Sequence, residues 1–371
     1  MSAAPHDEQA VIPPWLAPIE RLVAHAAREI QVLAALTPVD AHRERVRLVE
    51  ALRAGRAPSP RWSYAPVSHT ELRRALDAAE RALERTADTP LERLHLDRVR
   101  ELAVEGALCA AAGTGDVARL ARARFAPPAA GVVHAAAALC ASWLGDPAPA
   151  PGSDLLASDD PDPRSLLSRM RAAVGELRLP FVVVAQPTLA PLAATGERAI
   201  LVASGRLVRD EDAVRTVLHE IDGHARPRAR SLTAPLALFR AGTARGVDHQ
   251  EGRALLLEER AGLLGPHRRR QLAARHRAVE AMHAGATFHD VASTLTREHG
   301  LDASDAVVIA ERAFRGGDGS RPGLGRERVY LEGLVHVRER LAERPGDEHV
   351  LAAGQVATDA VDALRPYAPP A

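Results

Sequence analysis

The stretch TVLHEIDGHARP (216–227) places two histidines, a glutamate and an aspartate within six positions. His219 and Glu220 open it as a zinc-peptidase helix opens, but the second histidine, His224, follows the first by five residues rather than four. Zinc hydrolysis needs three protein ligands, one open position for water, and a base to take that water's proton. On a regular helix, positions four apart lie about 40° apart around the axis and positions five apart about 140°, so the two imidazoles would diverge. One extra residue absorbed as a π-type bulge restores convergence, and such bulges cluster at functional sites. Gly223, directly before His224, is the residue best able to take up that distortion. The spacing predicts a distorted helix that still holds a metal, with Glu220 as the base.

A third ligand is expected from the next helix, VDHQEGRALLLEERAGLL. Glu251 is the leading candidate there, with Gly252 beside it to permit close approach. Asp248 and His249 are rival ligands that spacing alone does not exclude. Glu258, seven residues after Glu251 and on its face, is placed to orient a histidine from behind. The plainer reading is also live: among 16 histidines a pair at spacing five is more often structural than catalytic. The adjacent glutamate, the apolar helix and the acidic helix downstream are what favour the metal.

These side chains need elements to hold them. From about 15 to 144 a helical period dominates, with Leu22, Val23, Ala26, Ile30 and Leu33 on one stripe and Ser68 or Thr70 as a cap for SHTELRRALDAAERALERTA. Residues 1–14 read as a disordered N-terminus, and 145–163, rich in Pro, Gly and Asp, as a linker or surface loop. The catalytic region is then 164–371. Within it LPFVVVAQ (179–186) and ERAILVAS (197–204) are the two convincing strands. The helix carrying His219 follows, then a helix capped by Asp248, helices near 268–298 and 303–314, a glycine-rich loop, and a last helical region over 327–364. The fold class is α+β, predominantly helical, with a small β-sheet and an N-terminal helical region.

Aromatic residues make up only 3% of the chain, so its core must be built from Ala, Leu and Val. Forty-eight basic residues, all arginine, balance 48 acidic ones, which removes the electrostatic footprint of a general nucleic-acid binder. The run HRRR (267–270) reads as a solvated helix face. With no lysine or asparagine, a substrate carboxylate must be held by arginine, histidine or a neutral donor. Cys109 and Cys140 lie in Ala/Leu-rich helical sequence and read as small core residues of a reducing compartment. No signal peptide or bilayer-spanning run is evident, so a cytoplasmic protein without a membrane or nucleic-acid partner is expected.

The motifs together resemble a known family. HEIDGH followed by HQEGRALLLEE is similar to the HEIGTH and (Q/E)EGLA pair of the tyrosine carboxypeptidase-like metalloproteins. That family includes the microtubule-associated tyrosine carboxypeptidases of animals and bacterial members labelled by a QEGLP motif. RWSYAPV, ERAFRGGDGS, RERVYLEGLV and LRPYAPP resemble further segments of it, in the right order from about residue 61 to the C-terminus. The resemblance implies a gluzincin-like zinc peptidase core, with His219, His224 and Glu251 as Zn2+ ligands and Glu220 as the catalytic base. It also implies removal of a residue from a peptide or protein C-terminus. Arg312 and Arg315 are candidates to grip the terminal carboxylate, because a guanidinium binds a carboxylate bidentately. Tyr330 is a candidate donor to the oxyanion. The plain alternatives are a solvated helix face for the arginines and a core anchor for the tyrosine.

Three departures bear on specificity rather than on the metal. Asp222-Gly223 stands where the family has Gly-Thr, Arg253 where it has Leu, and Arg326 where it has Lys. Competing functions are an endopeptidase or dipeptidyl peptidase with the same centre, and a non-catalytic zinc-stabilised interaction protein. Substrate identity and oligomeric state are not legible.

Overall fold

A computed structural model describes residues 12–147 and 154–370. Most of the proposed disordered N-terminus, and residues 148–153 of the proposed linker, therefore lie outside the described residues. The protein is predominantly helical with two small sheets.

The two expected strands are present as β2 (Val182–Gln186) and β4 (Ala199–Ala203), paired in parallel. Three more were missed. β3 (Ala193–Thr195) lies antiparallel on the other edge of β4, giving the order β2-β4-β3. β1 (Leu155–Ala157) and β5 (Leu207–Arg209) form a separate antiparallel pair. Each of the three is only three residues long, too short for a period-two pattern to declare itself. β1 also falls inside the Pro/Asp-rich stretch read as a linker.

Helix boundaries follow apolar periodicity closely, and caps less so. The first long helix, Ala17–Glu29, buries Ile19, Val23 and Ala26 but ends before Ile30, and Leu33 is left exposed, off the expected stripe. The cap of Thr70–Thr86 is His69, with no side-chain bond, while Ser68 and Thr70 hydrogen-bond each other at 3.0 Å. Helix Gly246–Arg260 begins two residues before Asp248, after Arg245 in the left-handed region, so Asp248 is not its cap. Residues 268–298 divide into Pro266–His283 and Phe288–Arg297, and the second starts with a full capping box on Thr287 and Asp290. Ala303–Phe314 is capped by Asp302. The last region holds one long helix, Val329–Glu343, followed by short turns.

Three apolar clusters meet around the chemistry. The largest joins the N-terminal helices to Leu255 and Leu256, to Leu331 and Leu334, and to the C-terminal Val356–Leu364 stretch. A second binds Pro266–His283, Phe288–Arg297 and Ala303–Phe314 through Phe288 and Phe314. The third packs helix Leu166–Glu176 on the β2-β4-β3 sheet and takes in Ile221 and Ala225 from the histidine segment. Cys109 and Cys140 are buried free thiols within the first. No helix among the described residues is long and apolar enough to cross a membrane.

Candidate active site

Helix Asp210–Leu218 runs into a π-helical turn over His219–Ala225. The N–H of Arg226 reaches the carbonyl of Ile221, five residues back, which is the widened register that the five-residue histidine spacing requires. Gly223 is needed there for a second reason. A Cβ at this position would lie 2.6 Å from the Ala254 Cβ, so only glycine lets the turn press onto helix Gly246–Arg260. That helix is pressed in turn onto Val329–Glu343, where a Cβ on Gly252 would fall 2.0 Å from the Gly333 carbonyl carbon. Two glycine contacts thus set the depth at which three helical segments stack around the site.

The stacking brings His219, His224 and Glu251 together. Their Nε2 atoms are 3.2 Å apart, and Glu251 Oε2 is 3.5 Å from the first and 3.7 Å from the second. A tetrahedral ion with bonds of the usual length for nitrogen and oxygen ligands separates its donors by about 3.3 Å. Protonation points the same way. His219 Nδ1 bonds Glu258 Oε1 at 2.7 Å. His224 Nδ1 bonds Gln250 Oε1 at 3.1 Å, and Gln250 directs its amide nitrogen to the Gly354 carbonyl. With each Nδ1 bonded to a side-chain oxygen, the two Nε2 atoms face each other and the Glu251 carboxylate, an arrangement that a cation can bridge. The donor set and its spacing therefore fit a metal ion.

The electrostatics agree. Burial alone would depress the His219 imidazole, yet bonds to Glu251 and Glu258 lift it to about 9. Burial works against Glu251 and Glu258 as well. The imidazole and arginine neighbours nevertheless hold Glu251 well below the ordinary carboxylate range, and the Arg268 charge with the His219 bond does so for Glu258. Glu258 is fully buried and also receives Arg268 at 3.2 Å.

Glu220 lies on the same turn, buried, with Oε2 accepting the Thr195 hydroxyl at 2.8 Å. Thr195 belongs to β3, the strand missed in the sequence. The rival ligands are drawn elsewhere. Asp248 pairs with Arg124 at 2.9 Å, and His249 accepts the Thr358 N–H and stacks on His336. Neither joins the cluster.

Beside the histidines lies a basin of arginines around the buried Tyr330. Arg326 bonds Glu251 Oε1 at 3.0 Å, so the third member of the cluster is held from behind. Arg312 bonds the Tyr330 hydroxyl at 3.2 Å and approaches Glu327 at 2.9 Å. Arg275 and Arg326 lie over the Tyr330 ring at 5.4 and 5.9 Å. Arg315, partly buried at the end of helix Ala303–Phe314, makes no hydrogen bond or ion pair with any described side chain. Spacing around the histidines gave no hint of Arg268, Arg275 or Gln250. Arg268 also corrects the solvated-face reading of HRRR: it turns inward to Glu258, Arg269 binds Asp146, and Arg270 bonds the His299 carbonyl.

The departures from the family pattern are also accounted for. Asp222 faces outward to Arg226 at 2.7 Å, a half-exposed pair four residues apart. Arg253 donates to the Asp222 carbonyl at 2.9 Å and binds Glu348 at 2.7 Å.

No curated protein matches the chain at a significant level. A family model described as microtubule-associated tyrosine carboxypeptidase matches residues 51–368, which include every residue of this site, and the chain belongs to that family.

Proposed function

We propose that the protein is a zinc-dependent carboxypeptidase that removes one residue from the C-terminus of a peptide or protein. The observation that carries this reading is the triangle of His219 Nε2, His224 Nε2 and Glu251 Oε2, with Glu220 on the same π-turn. Family membership supports the carboxypeptidase class and a peptide or protein substrate. The same reading takes the core as gluzincin-like, with two ligands on one helical segment and a glutamate on the next.

His219, His224 and Glu251 hold the ion. Bound zinc supplies Lewis acidity toward the scissile carbonyl and lowers the pKa of water to near neutrality. Glu220 takes the proton of the attacking water at its carboxylate and delivers it to the leaving amine, and the Thr195 hydroxyl fixes the carboxylate's orientation. Tyr330 accepts a bond from Arg312, so its own O–H proton is free to donate to the developing oxyanion. Arg315 grips the terminal carboxylate with Arg312 beside it, and this grip distinguishes a carboxypeptidase from an endopeptidase.

The test is metal analysis of the purified protein, followed by incubation with a C-terminally randomised peptide library read by mass spectrometry. One zinc per chain and chelator-sensitive shortening by single residues support the proposal. Internal cuts or released dipeptides would replace it with the endopeptidase or dipeptidyl peptidase alternative, and absence of metal would overturn it. Glu220→Gln separates an enzyme from a zinc-stabilised scaffold. It is expected to keep zinc and the melting temperature while losing about 100-fold or more in kcat.

A further inference from the structure

The Arg315 guanidinium makes no hydrogen bond or ion pair with any described side chain, so its reach is set by its backbone. That backbone lies at the junction between helix Ala303–Phe314 and the glycine-rich loop. The loop is pinched shut at its base. The Leu324 N–H donates to the Arg315 carbonyl at 2.9 Å, and the Gly325 N–H to the Ala313 carbonyl at 3.0 Å. Residues 316–323 are enclosed between these bonds, and what holds them also holds Arg315.

The anchors come from the N-terminal region. The two carbonyls that follow Arg315 each receive a donor from it: Gly316 takes the Gly113 N–H and Gly317 the Tyr64 hydroxyl, both at 2.8 Å. Gly316 is left-handed, at φ +81°, and presses on Leu36, which would stand 2.9 Å from a Cβ there. The segment carrying Tyr64 is seated by Trp62, whose ring meets Phe288 edge-on with centroids 5.6 Å apart. Phe288 in turn donates its N–H to the Gly319 carbonyl and packs against Phe314, the residue before Arg315. On the helix side Arg45 grips Glu311, one turn before Arg315, with bonds of 2.7 and 2.8 Å. Arg312 is fixed differently, from within the catalytic region, by Glu327 at 2.9 Å and the Tyr330 hydroxyl at 3.2 Å.

Tyr64 is suited to this task. Burial pushes its phenol up, with the Arg315 charge working against the rise, so the hydroxyl keeps its proton and stays a donor. The Gly317 carbonyl can only accept. Resting on the carboxypeptidase reading above, we propose that Tyr64, with Arg45 on the helix side, is a positioning residue for Arg315. Its bond to Gly317 holds the backbone from which the guanidinium reaches the substrate's terminal carboxylate. A two-pronged grip on a carboxylate tolerates little misplacement, so loosening that backbone costs substrate binding. The N-terminal region thereby acts on substrate through the arginine, while the metal ligands are held by other contacts.

The experiment is a double-mutant cycle of Tyr64→Phe and Arg315→Ala in the full zinc-loaded chain, with a peptide from the randomised library whose last residue the wild type releases. Tyr64→Phe keeps the ring and removes the hydroxyl. KM should rise about three- to tenfold, the scale of one hydrogen bond, with kcat and zinc content within about twofold of wild type. In the Arg315→Ala background the same substitution should raise KM no further, because the residue it positions is gone. A merely structural role would lower the melting temperature without this non-additivity. Should Tyr64→Phe fail to fold, Arg45→Lys takes its place in the cycle, keeping the charge but losing the two-pronged bond to Glu311. An unchanged KM, a KM rise that persists in full without Arg315, or a loss of zinc would overturn the inference and leave the carboxypeptidase reading standing. Release of no C-terminal residue by the wild type would overturn both.

Discussion

The two halves of the site have opposite electrostatic needs. The histidine half is built around anions: Glu251 and Glu258 converge on two imidazoles, and His219 is pulled up to about 9 because negative charge surrounds it. The Tyr330 half is rich in cations, with Arg275 and Arg312 sharing Glu327 at 3.8 and 2.9 Å and Arg326 over the Tyr330 ring. Arg326 joins them by reaching Glu251. On the function proposed above, a cation would complete one half and an anion the other, so a metal and a carboxylate-bearing substrate would be complementary occupants of adjoining parts of the site. The largest test of this contrast acts on the anion-seeking half. Arg315→Ala should lower kcat/KM for C-terminal release by roughly 10- to 100-fold, the scale of a charged hydrogen bond, while zinc content stays unchanged. A parallel loss of zinc would show that the halves are not separable in the way the geometry suggests.

The next test acts on the other half. Glu258 touches no substrate-facing atom; it is fully buried behind His219 and neutralised by Arg268. Glu258→Gln keeps the shape but weakens the bond that fixes the His219 tautomer. Zinc affinity, measured by chelator competition, should fall about 10- to 100-fold. Peptide KM should move little, because the arginine basin is untouched. A variant with wild-type zinc affinity would remove Glu258 from the metal's support.

How far this contrast was readable beforehand differs between the halves. The histidine half was legible because helical spacing is a strong constraint: two histidines five residues apart converge only through a bulge, and Gly223 was the residue best able to absorb it. Glu251 was the leading candidate on the next helix with Glu258 on its face, and it took the structure to draw the rivals Asp248 and His249 away from the cluster. Thr195 was not legible, since a three-residue strand carries no pattern and its pairing with Glu220 spans 25 positions. The arginine half was legible only where the resemblance pointed, at Arg312, Arg315 and Tyr330. Arg268 lay in the HRRR run read as a solvated face, and Arg275 drew no reading at all. In the fold Arg268 turns to Glu258 on the neighbouring helix and Arg275 toward Glu327 on the 326–328 turn. Capping failed for a similar reason, because Asp248 is drawn to Arg124 from a helix more than a hundred residues away.

The contrast also predicts a pH signature. In the metal-free protein the His219 imidazole binds its proton more tightly folded than unfolded, so the stability this contributes is fully present below about 6.5 and is lost as pH rises through about 9. Glu251 and Glu258, depressed in the fold, contribute above about 4.5 and lose that contribution in acid. Metal-free protein should therefore be most stable between these limits, and its melting temperature should fall from pH 6.5 to 9. On the zinc reading proposed above, the ion would take the place of the proton, so the loaded protein should lose the alkaline decline. Parallel melting curves for the two forms would refute the idea that one cation site is shared by proton and metal.

The smallest expected effect concerns how the π-turn is held. A π-turn leaves backbone groups without their usual helical partners, and here the Asp222 carbonyl takes its bond from Arg253, which Glu348 anchors from the C-terminal segment. The pattern of the resembling family has leucine at this position, so the guanidinium contact is a departure from it. Arg253→Leu removes the donor and leaves Glu348 with the more distant, half-exposed Arg260 at 3.8 Å. The cost should be about 1–2 kcal/mol, read as a lowered melting temperature, the scale of one hydrogen bond from a charged donor. Zinc affinity should change less than in Glu258→Gln, since Arg253 holds the backbone between the ligands and not a ligand itself. If zinc affinity instead falls further than in Glu258→Gln, the bulge that brings His224 toward His219 depends on this arginine, and the histidine half is less self-contained than its short distances imply.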